Sequence, residues 1–232
     1  MIGWFLIACL PDPGSVTLTG RVLSTQYGDD GAPNVTIESF DSELEPYAEA
    51  ATGADGEFSV EVMASRVYHL HLTGDGIVPT AFSGIVGQQD VSLEDGDLYV
   101  RTEEEVAALR ALHDQCPSAE EEGGIIEGVV EFPLISDASG EAVVAESAEV
   151  SAALNDATSY AACVLDDDGL SVADPGQVGV TGRFAIFGVA PGAVTVEFQQ
   201  PIGDKTLSNY GFALLPEGGI APFHPAIIDL PQ

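Results

Sequence analysis

His69 and His71 stand two residues apart in the run Val67-Tyr68-His69-Leu70-His71-Leu72. Residues at i and i+2 of a strand share a face. With a third donor, His224 or a carboxylate, such a pair would ligate a metal. The spacing equally suits two half-exposed strand residues opposite a Tyr68/Leu70/Leu72 core face. Acidic loops offer a second chemistry. Asp166-Asp167-Asp168-Gly169 and Asp29-Asp30-Gly31 place hard oxygen ligands in glycine-containing loops, which suits calcium. Neither loop has EF-hand spacing, and acidic turns are the ordinary surface of so acidic a chain.

The motifs of catalysis are missing from the sequence. There is no Gly-x-Ser-x-Gly elbow, no HExxH, P-loop or dinucleotide fingerprint, and no CxxC or Cys/His zinc spacing. Glycoside hydrolysis needs two paired carboxylates, and among 38 Asp and Glu no pair stands out without geometry. The expectation is a non-enzymatic chain that needs no cofactor. A sugar-stacking platform would draw on Tyr27, Phe40, Tyr47, Tyr160 or Tyr210, because the sole tryptophan, Trp4, lies in an apolar leader.

Charge narrows the partners. Six Lys and Arg face 38 Asp and Glu, a net charge of −32 in 232 residues. Nucleic acid and anionic lipid, which are bound through clustered cations, are excluded as partners of a basic patch. An acidic surface favours solubility, cation binding or a basic partner. The scarcity of lysine also resembles proteins of saline habitats. Apolar residues make up 45% of the chain, enough for each half to bury a core.

Met1 to Ala8 is apolar throughout and is followed by Cys9. The stretch is shorter than the roughly 20 residues that span a bilayer. Leu6-Ile7-Ala8-Cys9 resembles a bacterial lipobox, in which the cysteine is lipidated and becomes the mature N-terminus. The basic n-region of a secretory signal is not present ahead of it; a start further upstream would supply one. Leu10-Pro11-Asp12-Pro13-Gly14-Ser15 reads as a tether. Lipidation of Cys9 leaves Cys116 and Cys163, which an oxidising compartment would join as a disulfide.

Most of the chain has strand grammar. Val16 to Leu23 alternates, and Val35, Ile37 and Ser39 share a face, as do Phe58, Val60 and Val62. In the second half, Ala148 to Leu154 alternates, Val194, Val196 and Phe198 share a face, and Ala226 to Leu230 reads as a closing strand. Thr102 to Gln115 differs. Thr102 and Glu105 form a capping box, and Val106, Leu109 and Leu112 make one helical stripe. Acidic residues open the segment, while Arg110 and His113 close it, as the helix dipole prefers. The divisions are a leader and tether over 1–15, a β-sandwich over 16–100, a helix and linker over 101–124, and a second sandwich over 125–232.

The halves repeat one phrase. Ala51-Thr52-Gly53-Ala54-Asp55-Gly56-Glu57-Phe58-Ser59-Val60 is echoed by Val180-Thr181-Gly182-Arg183-Phe184-Ala185-Ile186. Their openings, Thr19-Gly20-Arg21-Val22 and Glu127-Gly128-Val129-Val130, match as well. A glycine turn before Phe-x-Val or Phe-x-Ile predicts a hairpin corner that enters a half-buried strand. The second copy carries about 18 more residues before its corner, an insertion expected over Asp156 to Gly179 in an exposed loop.

This pattern resembles the carboxypeptidase regulatory-like, transthyretin-like domain family. Copy one carries it at Gly20, Gly31-Ala32-Pro33, Thr52, Asp55-Gly56-Glu57-Phe58 and Tyr68-His69-Leu70. Copy two carries it at Gly128, the Ala148 to Ala152 strand, Thr181-Gly182-Arg183-Phe184 and Val189-Ala190-Pro191-Gly192, without the Asp-Gly of the corner. The resemblance implies an all-β chain of two tandem transthyretin/Ig-like β-sandwiches with one short connecting helix. Such domains are accessory modules, and their fold alone assigns no activity. The expected protein is a cell-envelope lipoprotein at the outer membrane or cell surface, touching the membrane only through its lipid. It would act as a structural spacer or a protein-binding module. The alternative is a carbohydrate- or calcium-binding accessory module, with surface glycans in place of envelope proteins as partners.

Overall fold

A computed structural model describes residues 14–25, 28–93, 98–116, 123–136, 142–144, 149–154, 158–165, 182–202 and 205–227. The first half holds β1 (Ser15–Leu23), β2 (Thr36–Phe40), β3 (Pro46–Ala51), β4 (Glu57–Met63), β5 (Val67–Thr73), β6 (Ile77–Val78), β7 (Thr80–Ile85), β8 (Val91–Ser92), β9 (Leu98–Tyr99) and β10 (Arg101–Thr102). The helix α1 (Glu103–Arg110) and a 3₁₀ turn (His113–Gln115) follow. The second half holds β11 (Gly124–Ser136), β12 (Ala142–Val144), β13 (Glu149–Leu154), β14 (Thr158–Ala161), β15 (Cys163–Val164), β16 (Arg183–Val189), β17 (Gly192–Ile202), β18 (Lys205–Leu215) and β19 (Ile220–Ile227).

The fold is all-β with one short helix, and period-2 patterning builds it. Phe58, Val60 and Val62 of β4 point inward and meet Leu18 and Val22 of β1 and Leu70 and Leu72 of β5 in one core. The sheet β4-β1-β8, with β9 also on β1, closes over this core against β7-β5-β2-β3. In the second half, β14-β13-β17-β18 closes over Ile126, Phe184, Ile186, Val196 and Phe198 against β15-β16-β11-β19.

The two inner sheets are one. Nine strands form a single sheet whose main path runs β15-β16-β11-β19-β7-β5-β2-β3, with β12 beside β11. The joint is parallel and narrow: Ile220 of β19 is the Cα partner of Thr80 of β7. Beside it the Ile220 N–H donates to the Pro79 carbonyl at 2.9 Å.

The glycine corner differs from the hairpin that its sequence predicts. β3 pairs with β2, whereas β4 pairs with β1, so the corner switches the chain between sheets. Two close approaches explain it. Gly56 has φ +83°, and a β-carbon there would run into the Val22 carbonyl; one at Gly31 would run into the Asp55 carbonyl. Arg21 clamps the bend, with Nε donating to the Asp55 carbonyl at 2.7 Å and Nη2 to that of Asp29 at 2.8 Å.

The helix keeps its predicted start but ends early. The Thr102 hydroxyl accepts from the Glu105 N–H at 3.2 Å, and the Glu105 carboxylate accepts from the Thr102 N–H at 2.8 Å. After Arg110 the ladder tightens, with Leu112 N–H donating to the Leu109 carbonyl at 3.0 Å. This tightening turns Leu112 and Cys116 toward the cluster that Val106 and Leu109 already enter, with Ile125, Leu165, Phe187 and Ile220. Cys116 is bonded to Cys163 there, with Cα atoms 5.8 Å apart. The helix thus covers the outer side of β11, β16 and β19, not the first core.

Candidate functional site at the junction

β5 and β7 pair so that His69 stands opposite Ser83, His71 opposite Ala81, and Val67 opposite Ile85. Tyr68, Leu70 and Leu72 fill the first core, as alternation predicts. The other face of β5 is covered as well, because β18 crosses it. His69 is therefore buried, not half-exposed, at 9% accessibility. His69 Nδ1 lies 2.6 Å from the Ser83 hydroxyl oxygen. His71 Nε2 lies 2.5 Å from the Leu214 carbonyl oxygen, a bond between the two halves. The Phe40 ring packs 4.5 Å from the His71 ring, centroid to centroid. Burial pushes both imidazoles below the ordinary histidine value of 6.5, and His71 lowers His69 further. For His71 the Leu214 carbonyl and Glu38 oppose the fall without reversing it.

Both histidines are thus engaged in the junction. Among the described residues no group of three or more His, Cys, Asp or Glu gathers as a metal site. Asp166, Asp167, Asp168 and Cys9 lie outside the described residues, as does the side chain of His224. At Asp29 and Asp30 the backbone carbonyls serve the fold, taking hydrogen bonds from Arg21 and from the Ser24 N–H.

A buried ion pair braces the junction further. Arg101 Nη2 and Nε donate to one Glu127 oxygen at 2.7 and 2.9 Å. The guanidinium also lies 5.2 Å from the Tyr99 ring centroid. Burial works against its charge, but Glu127 carries the Arg101 pKa above its ordinary value. Arg110 ties the helix to both neighbours, donating to the Gly123 and Gly218 carbonyls at 2.8 Å each.

Next to this brace the surface turns apolar. Leu214, Phe212 and Tyr210 alternate along one face of β18. Leu214 is buried, while Phe212 is 46% and Tyr210 53% exposed. Val67 and Ile85, at 36% and 80%, stand across from them. One recess of about 240 Å³ lies between Val67, Ile85, Tyr210 and Phe212. Another, of about 310 Å³, is lined by Val67, His69, Thr195 and Phe212. Phe212 is common to both.

Of the described aromatic residues that sequence offers for stacking, Tyr210 alone shares its strand face with a second exposed ring, Phe212. Tyr47 is exposed on the edge strand β3, Phe40 is buried, Tyr160 packs against the second core, and Tyr27 lies outside the described residues. Phe212 was not legible as a surface residue. Its strand inverts the usual pattern: Asn209 and Gly211 point inward while Tyr210 and Phe212 point out. Gly211 is required, because the Phe223 ring occupies the space of a β-carbon there. An aromatic-x-aromatic spacing around a glycine, as in Tyr210-Gly211-Phe212, is the signal that would have marked it.

No family model matches the chain, and neither does any curated protein. Among solved structures it is similar to the Bacillus anthracis TIE protein, at 12% identity and a TM-score of 0.32 over 93% of this chain and 34% of that one. It thus spans about a third of the TIE protein's length. It is also similar to GBS52, the minor pilin of Streptococcus agalactiae, at 12% identity and 0.29 over 94% and 97% of the chains. A DUF3823 family protein from Parabacteroides merdae matches at 16% identity and 0.30 over 89% and 100%. At these scores the likenesses carry neither a family nor a function.

Proposed function

We propose that the chain is a non-catalytic cell-envelope lipoprotein whose two transthyretin-like sandwiches form one stiff binding module on a Cys9 lipid tether. The observation that carries this reading is the exposed apolar wall of Val67, Ile85, Tyr210 and Phe212 beside the braced junction. Contiguous exposed apolar groups of this kind mark interaction sites on monomers. Stiffness favours binding, because a surface already held in shape loses little entropy when a partner arrives. The sheet joint, the His71–Leu214 bond, the Arg101–Glu127 pair and the disulfide all serve that end.

The anchor is tested by palmitate labelling in a bacterial host. The label enters the wild-type chain and is lost in Cys9→Ala, and globomycin blocks processing. Equal labelling of both chains would remove the anchor from this reading.

A further inference from the structure

β17 and β18 share an outer face built from cross-strand pairs. Tyr210 stands opposite Glu197, Phe212 opposite Thr195, and Ser208 opposite Gln199. The two exposed rings are two residues apart, about 7 Å along the strand. Beside them a carboxylate is held in place. Glu197 Oε1 accepts from Gln199 Nε2 at 2.7 Å and from the Tyr210 hydroxyl at 3.0 Å. Its Oε2 has no hydrogen-bond partner among the described side chains. The face therefore combines two apolar rings with an acceptor of fixed direction.

A sugar is the chemical complement: its C–H face covers an aromatic ring, and its hydroxyls donate to a carboxylate or amide oxygen. Charge narrows the choice. With a net charge of −32, the chain repels a second copy of itself and any anionic glycan. The polar groups around the rings are Thr195, Gln199, Ser208 and one carboxylate. That set matches hydroxyls better than the cations of a lysine-rich polypeptide.

We propose that the outer face of β17 and β18 binds a neutral saccharide, which stacks on Tyr210 and Phe212 and hydrogen-bonds to Glu197 and Gln199. The proposal rests on the binding-module reading, but not on lipidation of Cys9.

The test uses the full chain carrying Cys9→Ala, so that it does not depend on the anchor. Isothermal titration is run with neutral oligosaccharides of glucose in α and β linkage, mannose, xylose and N-acetylglucosamine. At least one binds. Tyr210→Ala and Phe212→Ala each weaken it by at least about tenfold, whereas Tyr210→Phe, which keeps the ring, stays within about threefold. The melting temperature of each variant verifies folding. Absence of binding across the panel by a folded chain overturns the proposal, as does binding unchanged in the Tyr210→Ala, Phe212→Ala double variant. A lysine-rich peptide that binds through these residues when no oligosaccharide does also overturns it, and assigns the face to a polypeptide. Sugar binding together with palmitate label retained in Cys9→Ala would leave the site standing and remove only the anchor.

Discussion

Gly128 stands directly opposite Phe184 across β11 and β16, and the Phe184 ring occupies the space that a β-carbon at 128 would need. Gly20 and Phe58 hold the same relationship across β1 and β4. This is the physical content of the repeated phrase. Each copy opens with a glycine so that the phenylalanine after its corner can lie flat over the strand and fill the core.

The two glycines should respond unequally. A β-carbon at Gly20 would lie 3.1 Å from Leu93 Cβ and from the Phe58 ring, side chains that can give way. At Gly128 it would strike the Phe223 carbonyl of β19. Gly20→Ala is expected to cost about 1 kcal/mol and Gly128→Ala about 3 kcal/mol or more. Denaturant midpoints at constant m-value measure both.

Reduction of Cys116–Cys163 should destabilise the fold strongly. The bridge joins residues 47 apart, and a loop of that length corresponds to about 4 kcal/mol in the chain-entropy account. The melting temperature should drop on adding dithiothreitol, and a Cys116→Ala, Cys163→Ala chain should no longer respond to it. A melt indifferent to reductant would contradict this.

Stability should weaken on mild acidification. His69 and His71 have pKa values below 6.5 in the fold, so the unfolded chain binds more protons as pH falls through 6.5. The contribution is complete above that value and is lost as pH falls toward the folded pKa values. His69→Gln and His71→Gln should flatten this limb of a stability–pH curve, leaving the carboxylate-driven loss at lower pH in place.

Glu127→Gln should cost about 3 kcal/mol, because it removes the nearer counter-charge of the largely buried Arg101 guanidinium and leaves Glu105 at 3.7 Å. An Arg101→Met, Glu127→Leu double replacement should recover most of that loss. A thermodynamic cycle over the wild type, Arg101→Met, Glu127→Leu and their double variant tests the coupling. Additive effects would show that the pair acts independently.

Local patterns were legible in the sequence and long-range ones were not. Phe58, Val60 and Val62 announce β4 because one face is apolar and the other polar. The Thr102–Glu105 capping box marks the helix start, since both partners lie within one turn. β3 was missed because Pro46-Tyr47-Ala48-Glu49-Ala50-Ala51 is a mostly exposed edge with little apolar alternation. β18 was missed because its rings face outward. The burial of His69 was illegible for a different reason. It depends on a strand more than a hundred residues away crossing β5, and no window of sequence contains both.

The position of β19 has a consequence for how the chain acquires its structure. β19 is the last described strand, yet it lies between β11 and β7, in the middle of the large sheet. Until it docks, β7 and β11 each present an open edge to any strand nearby. The second half cannot complete its sheet until residues 220–227 are available, because β19 pairs with β11 from Ile125 to Glu131. Contacts of such long sequence separation make for slow folding. Pulse-labelling hydrogen exchange should therefore find the β11–β19 ladder protected later than the β5–β7 ladder.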